Sequence, residues 1–160
     1  MNPCEDAFRG LSSSDFDCSE SQRSHYYSKI SGPLLDRIDI HVEVPKVEFK
    51  DIISRVESES SEEIRKRVIK ARERQLQRLK GRKIFCNAQM ETREVKKFCQ
   101  VDEEAKKLLE MAVNRLGFSA RGYTRVLKVA RTIADLAGED NINSVHVSEA
   151  IQYRVLDKYF

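Results

Sequence analysis

Apolar and polar residues alternate strictly at one place in the chain, the segment IDIHVEV at residues 38–44. A period of two predicts a half-buried β-strand over about residues 38–44, and Pro45 ends the pattern. A single strand is not stable alone, because its backbone donors and acceptors need neighbouring strands. We therefore expect residues 1–45 to be the end of an α/β domain whose other strands come from outside this sequence.

Helical periodicity replaces this alternation after Pro45. Ser60 and Glu63 have the spacing of a capping box, which predicts the start of a long, highly charged helix that ends near Gly81. Its apolar positions form a narrow stripe: Ile64, Val68, Ala71, Leu76 and Leu79. Residues 82–90 show no regular pattern. We treat residues 46–90 as a charged linker region.

Four further helices are predicted at residues 91–99, 102–116, 119–137 and 144–157. Asp102 and Ser119 suit N-caps, and Gly117 and Gly138 suit C-caps. Short, capped connections favour a small bundle over residues 91–160. Its predicted core is Val95, Phe98, Leu108, Leu109, Ala112, Leu116, Leu127, Ala130, Ile133, Leu136, Val147, Ala150 and Ile151. The predicted fold class is thus mainly α, one strand followed by a helical bundle.

Composition narrows the class of protein. Charged residues make up 34% of the chain and apolar residues 40%, which is typical of a soluble helical protein. No apolar run approaches the roughly 20 residues that cross a bilayer, and the first residues do not resemble a secretory signal. We therefore predict a cytoplasmic location without membrane contact, where the four cysteines are free thiols. Their spacing matches no zinc motif, so no metal site is predicted.

Positive charge is concentrated in one segment, although the net charge is only +3. Ten Lys and Arg residues lie between residues 65 and 83, opposed by Glu73 alone. Lys and Arg on a helix can neutralise DNA phosphates, but the same charges also suit a solvated helix face, and both interpretations stay open. The candidate nucleic-acid contacts are Arg65, Lys66, Lys70, Arg72, Arg74 and Arg78.

The sequence contains no self-sufficient catalytic motif. Residues 117–124 (GFSARGYT) approach the phosphate-binding pattern, but Tyr123 stands where that loop needs Lys, and a helix precedes the segment. A capped helix start is the better interpretation. His25, His41 and His146 have no partner groups at catalytic spacing.

Four blocks resemble a known family. Residues 30–45 (ISGPLLDRIDIHVEVP) are similar to the arginine-finger block of magnesium-chelatase-like AAA+ ATPases. Residues 83–90 (KIFCNAQM), 119–136 (SARGYTRVLKVARTIADL) and 146–154 (HVSEAIQYR) resemble its C-terminal helical lid. Within that family the resemblance is strongest to bacterial proteins associated with competence and DNA branch migration.

The resemblance implies a role for three residues. Arg37 would be the arginine finger, which stabilises charge on the phosphate of a neighbouring subunit. Arg121, in the first turn of a helix, would be sensor 2, and Asn2 would be sensor 1. The alternatives are an Arg37 paired with Asp36 or Asp39, and a solvated Arg121. Arg125 and Arg131 are weaker candidates.

The resemblance also implies the organisation and the function. Residues 1–45 would be the end of the AAA+ core and residues 91–160 the lid, in a homo-oligomeric ring, a hexamer, that uses ATP with magnesium and remodels DNA. The Walker A and Walker B segments precede these blocks in the family and have no counterpart here, so we expect the chain alone to be inactive. The alternative is a non-catalytic helical module that binds a protein or nucleic acid.

Overall fold

A computed structural model of the chain describes residues 58–154 and, before them, residues 34, 36–42, 44 and 53. The part that it describes is mainly helical, in agreement with the predicted fold class. Its helices are α1 (Ser61–Arg78), α2 (Thr92–Phe98), α3 (Glu103–Leu116), α4 (Ala120–Ala137) and α5 (Ser144–Gln152), with a 3-10 turn at Asn87–Gln89 between α1 and α2. None of these helices is both long and apolar enough to span a bilayer.

The predicted caps form because each depends on residues close in sequence. Ser60 begins α1 with the expected capping box to Glu63, and the Asp102 carboxylate accepts a hydrogen bond from the Ala105 amide at the start of α3. Gly117 ends α3 with φ 64°, a left-handed conformation that glycine adopts without steric cost. The last helix ends at Gln152, five residues before the predicted end.

The core lies where α4 packs between α1, α2 and α5, and α5 in turn packs on α3. Its buried apolar residues are Leu79, Met90, Val95, Cys99, Ala105, Leu109, Val126, Leu127, Ala130, Ala134, Ile142, Val147 and Ala150. Leu79 and Met90 belong to this core. The core therefore begins upstream of residue 91, where the helical bundle was predicted to start. Leu136 was predicted to be buried but is 37% exposed, because it lies one residue beyond the buried face of α4 that ends at Ala134 and Asp135.

The first half of α1 extends beyond the bundle. Ala71 and Leu79 are buried, whereas Ile64 and Val68 of the predicted apolar stripe are 42% and 44% exposed. Helical geometry places all four on one side of α1. The helix is therefore packed against the bundle only over its C-terminal half.

The predicted strand at 38–44 is not present in the described residues of that segment. Residues 38–42 and 44 have no strand conformation. A half-buried strand would bury its apolar residues, but here Val42 is 66% exposed while the polar His41 is buried. A strand requires a paired neighbour. The segment instead contacts the end of the bundle, where the His41 amide donates to the Tyr153 carbonyl at 2.7 Å.

Candidate nucleotide-contacting surface

The N-terminus of α4 meets the segment that carries Arg37. The Ser119 hydroxyl accepts a hydrogen bond from the Gly122 amide at 3.0 Å and donates one to the Asp36 carboxylate at 2.9 Å. A Cβ atom on Gly122 would lie 3.6 Å from the same Asp36 oxygen, so the Asp36 side chain lies against the first turn of α4. One residue thus caps the helix of Arg121 and joins it to the neighbour of Arg37.

Arg125, one helical turn after Arg121, makes the second connection. Its Nη1 donates to the Arg37 carbonyl oxygen at 2.6 Å and forms an ion pair with the Asp39 carboxylate. Sequence reasoning ranked Arg125 only as a weaker sensor candidate. The available signal was its position four residues after Arg121, which places both side chains on one face of α4.

The end of the bundle makes the third connection. The buried Arg154 donates from Nη1 to the Ile38 carbonyl at 2.6 Å, next to the bond between His41 and Tyr153. Residues 36–41 have no regular secondary structure, so these bonds from the Arg154 side chain and the Tyr153 backbone take the place of hydrogen bonds to a neighbouring strand. The segment is therefore held on the bundle by α4 and by the end of α5.

Both predicted nucleotide-contacting arginines have exposed side chains. Arg37 forms neither of the ion pairs that were considered for it, because Asp36 bonds to Ser119 and Asp39 to Arg125. Within the described residues, neither the Arg37 nor the Arg121 guanidinium has a hydrogen bond or ion pair. Asn2, the predicted sensor 1, lies outside the described residues.

The predicted nucleic-acid residues of α1 separate into two groups. Arg74 and Arg78 face the bundle and form ion pairs with Asp140 and Asp135. The other four are exposed: Arg65, Lys66, Lys70 and Arg72. Lys66 pairs with Glu62 at 2.8 Å, and Arg72 bonds to the neutral Gln75 side chain at 2.6 Å.

A cluster of buried polar side chains joins α1 to α4. The Asp135 side chain is fully buried and accepts hydrogen bonds from Arg78 at 2.9 Å and from Asn87 at 2.8 Å, and Arg131 Nη2 lies 3.2 Å from it. The bond to Asp135 raises the pKa of Arg78, whereas burial lowers the pKa of Arg131. Arg131 also donates to the carbonyls of Glu139 and Asp140, both at 2.7 Å. Its contacts are those of a structural residue.

The two described cysteines are free thiols, Cys86 and Cys99. Burial raises the pKa of Cys99 to about 11, so this thiol is protonated and unreactive at neutral pH. Among the residues that the structure describes, no group of His, Cys, Asp and Glu side chains could hold a metal ion.

Comparison with known proteins assigns the family. Residues 58–154 match the family described as magnesium chelatase, subunit ChlI C-terminal, and residues 1–52 match magnesium chelatase, subunit ChlI. The chain belongs to the magnesium chelatase subunit ChlI family. Its five described helices fall within the C-terminal match, and Arg37 falls within the other.

Several curated bacterial proteins are similar to this chain. YifB of Salmonella typhimurium is 41% identical over 143 residues, which are 88% of this chain and 27% of that protein. The competence protein ComM of Haemophilus influenzae is 40% identical over 139 residues, 86% of this chain and 26% of its own length. Rv2897c of Mycobacterium tuberculosis is 32% identical over 153 residues, 96% of this chain and 30% of that protein. The chain thus spans less than a third of these relatives.

Proposed function

We propose that this chain supplies the arginine finger, sensor 2 and helical lid of a ring-forming AAA+ ATPase that remodels DNA. Arg37 is the finger, Arg121 is sensor 2, Asn2 is sensor 1 and residues 91–160, with helices α2–α5, form the lid. The intact protein works in the cytoplasm as a homo-oligomeric ring, a hexamer, with ATP and magnesium. Membership of the family supports the ATPase part, and the name of the competence protein ComM supports the link to DNA.

One observation carries the proposal. Arg37 and Arg121 are exposed cations without ion pairs among the described residues, and the bond between Asp36 and Ser119 joins their segments. A guanidinium matches the geometry of phosphate oxygens, and the first turn of α4 adds the positive end of a helix dipole. Two exposed cations beside a helix N-terminus are suited to contacting the phosphates of a nucleotide.

These residues fit ATP phosphates but cannot hold the nucleotide alone. Arg37 and Arg121 supply charge, whereas a phosphate-binding loop supplies the backbone amides and the lysine that cradle the phosphates. The described surface has no such loop: residues 117–124 form a helix end and a helix start. In this proposal the chain completes a site whose loop comes from the rest of the intact protein.

Arg121→Ala in the intact protein should lower the kcat for ATP by about tenfold or more, because one preorganised charge on the phosphates is lost. The measurement is steady-state ATPase activity, with ring assembly followed by size-exclusion chromatography. Arg115→Ala is the matched control, since Arg115 is exposed on α3 and has no ion pair within the described residues. Equal rates for both variants and the parent would show that Arg121 is not sensor 2.

The DNA part rests on the exposed cations of α1. Among them, Arg65 and Arg72 lie two turns apart on one face, while Lys70 lies on another. Lys66 forms an ion pair with Glu62. Of the four exposed candidates, Arg65, Lys70 and Arg72 have no acidic partner among the described residues. These three are the residues that could neutralise DNA phosphates.

Replacing Arg65, Lys70 and Arg72 together with Gln should reduce DNA affinity and make its salt dependence shallower. Each lost phosphate contact removes about 0.9 from the slope of log K against log salt for duplex DNA, so the slope falls by up to about three such steps. Fluorescence anisotropy with duplex DNA at several salt concentrations measures this. The triple Gln variant of the exposed Arg93, Lys96 and Lys107 is the charge-matched control, and an equal change in both variants would contradict a specific role for α1.

A further inference from the structure

Arg125 forms a hydrogen bond to the backbone of Arg37. One nitrogen, Nη1, contacts both the Arg37 carbonyl oxygen at 2.6 Å and the carboxylate of Asp39. The two contacts flank Ile38, whose own carbonyl is held by Arg154. Groups from the bundle thereby hold three successive residues, Arg37 and Ile38 by their backbone carbonyls and Asp39 by its side chain.

The segment needs such support because it has no regular structure of its own. Residues 38–42 form no strand and no helix, and the turn bond from the Arg37 amide to the Leu34 carbonyl at 3.0 Å is local. A finger arginine must present its charge at a fixed position, since a displacement of about 1 Å can cost about a hundredfold in rate. An exposed side chain cannot fix itself, so the position of Arg37 depends on its backbone.

We propose that Arg125, paired with Asp39, is a positioning residue for Arg37. This inference rests on the proposed function. Arg125 does not contact the nucleotide; it fixes the finger segment to α4, the same helix whose first turn carries Arg121. A movement of α4 therefore displaces both cations together.

A double-mutant cycle in the intact protein tests the inference. Arg125→Ala should lower the kcat for ATP by about tenfold to a hundredfold, the effect of a misplaced catalytic group, and leave the KM within about twofold. If Arg125 acts through Arg37, adding Arg125→Ala to Arg37→Ala should cost no further turnover, because the finger is already absent. Arg125→Lys, which keeps a cation and donors, should restore part of the rate.

The cycle separates positioning from a general stabilising role. If Arg125→Ala lowers the rate by the same factor with and without Arg37, the residue acts independently and the proposal is wrong. A parental rate for Arg125→Ala, with rings assembled, also overturns it. Arg115→Ala is again the control that should leave the rate unchanged.

A structural readout distinguishes failure of this inference from failure of the proposed function. Amide hydrogen exchange in the intact protein should speed up at Arg37 and His41 in Arg125→Ala, by about tenfold, because the segment opens locally more often. The amides in the middle of α4 should keep their rates. If Arg37→Ala turns over normally, the finger role fails, and faster exchange at residues 37–41 would still show that Arg125 holds the segment. Unchanged exchange would show that it does not.

Discussion

Arg37→Ala in the intact protein should lower ATP turnover at least about a hundredfold while leaving nucleotide binding nearly intact, as expected when a transition-state cation is lost. The reason lies in the arrangement around the residue. Both neighbouring carboxylates are occupied, Asp36 by Ser119 and Asp39 by Arg125, and the Arg37 side chain is left exposed. Turnover and nucleotide affinity measured on the same preparation test the prediction.

Mixed rings test whether this cation acts on a neighbouring subunit. Subunits with Arg37→Ala keep a phosphate-binding loop, and subunits disabled in Walker A keep the finger. Neither kind should hydrolyse ATP alone, but in mixtures an intact loop can face an intact finger, so part of the activity should return. Arg37→Lys should recover little, because an ammonium cannot make the paired contacts of a guanidinium.

A parental rate for Arg37→Ala in assembled rings would show that the finger assignment is wrong. Absence of recovery in mixtures, with strongly reduced activity in the single variant, would instead indicate that Arg37 acts within its own subunit. Size-exclusion chromatography of each mixture ensures that the rings compared contain both kinds of subunit.

Much of the helical domain could be predicted because its signals are local. Ser60, Asp102 and Ser119 each bond to an amide three residues later, so the sequence contains both partners within one turn. Gly117 and Gly138 likewise end helices through their own φ angles. Such features require no knowledge of the rest of the fold.

The strand predicted at 38–44 is not formed in the described residues, because its stability is not local. Alternation indicates which side chains share a face, but a strand forms only where a neighbouring strand supplies hydrogen bonds. In the described residues the segment instead forms hydrogen bonds with the Tyr153 carbonyl and the Arg154 side chain. Burial of His41 and exposure of Val42 follow from those contacts.

The sequence suggests which residues belong to the candidate site, but it cannot show which residues they contact. The pairs that shape it join residues far apart in sequence: Arg125 and Asp39 are separated by 86 positions, and Arg78 and Asp135 by 57. A run of basic residues cannot reveal which cation turns inward. The structure shows that Arg74 and Arg78 face the bundle. The distribution of charge along the sequence placed them in one positive segment with Arg65 and Lys70.

Asp135→Ala should destabilise the chain by about 3–5 kcal/mol, since removing one partner of a buried ion pair leaves the other charge uncompensated. Asp135 is 1% exposed, and its carboxylate is the only acidic side chain within salt-bridge distance of Arg78 or Arg131 among the described residues. Removing it also leaves the Asn87 amide without its closest acceptor. The buried guanidinium of Arg131 and the partly buried one of Arg78 would then lie close together without a counter-charge.

Urea denaturation of the 160-residue chain, followed by circular dichroism, measures this loss as a shift of the midpoint with an unchanged m-value. Asp140→Ala is the matched control, because its carboxylate also pairs with an α1 arginine, Arg74, but is 92% exposed. An exposed pair contributes about 0–1 kcal/mol, so the control should unfold near the parental midpoint. If both variants shift equally, burial of Asp135 does not determine the stability of the contact between α1 and α4. A large shift for Asp135→Ala alone would show that the ion pair between Arg78 and Asp135 stabilises the packing of α1 on the bundle.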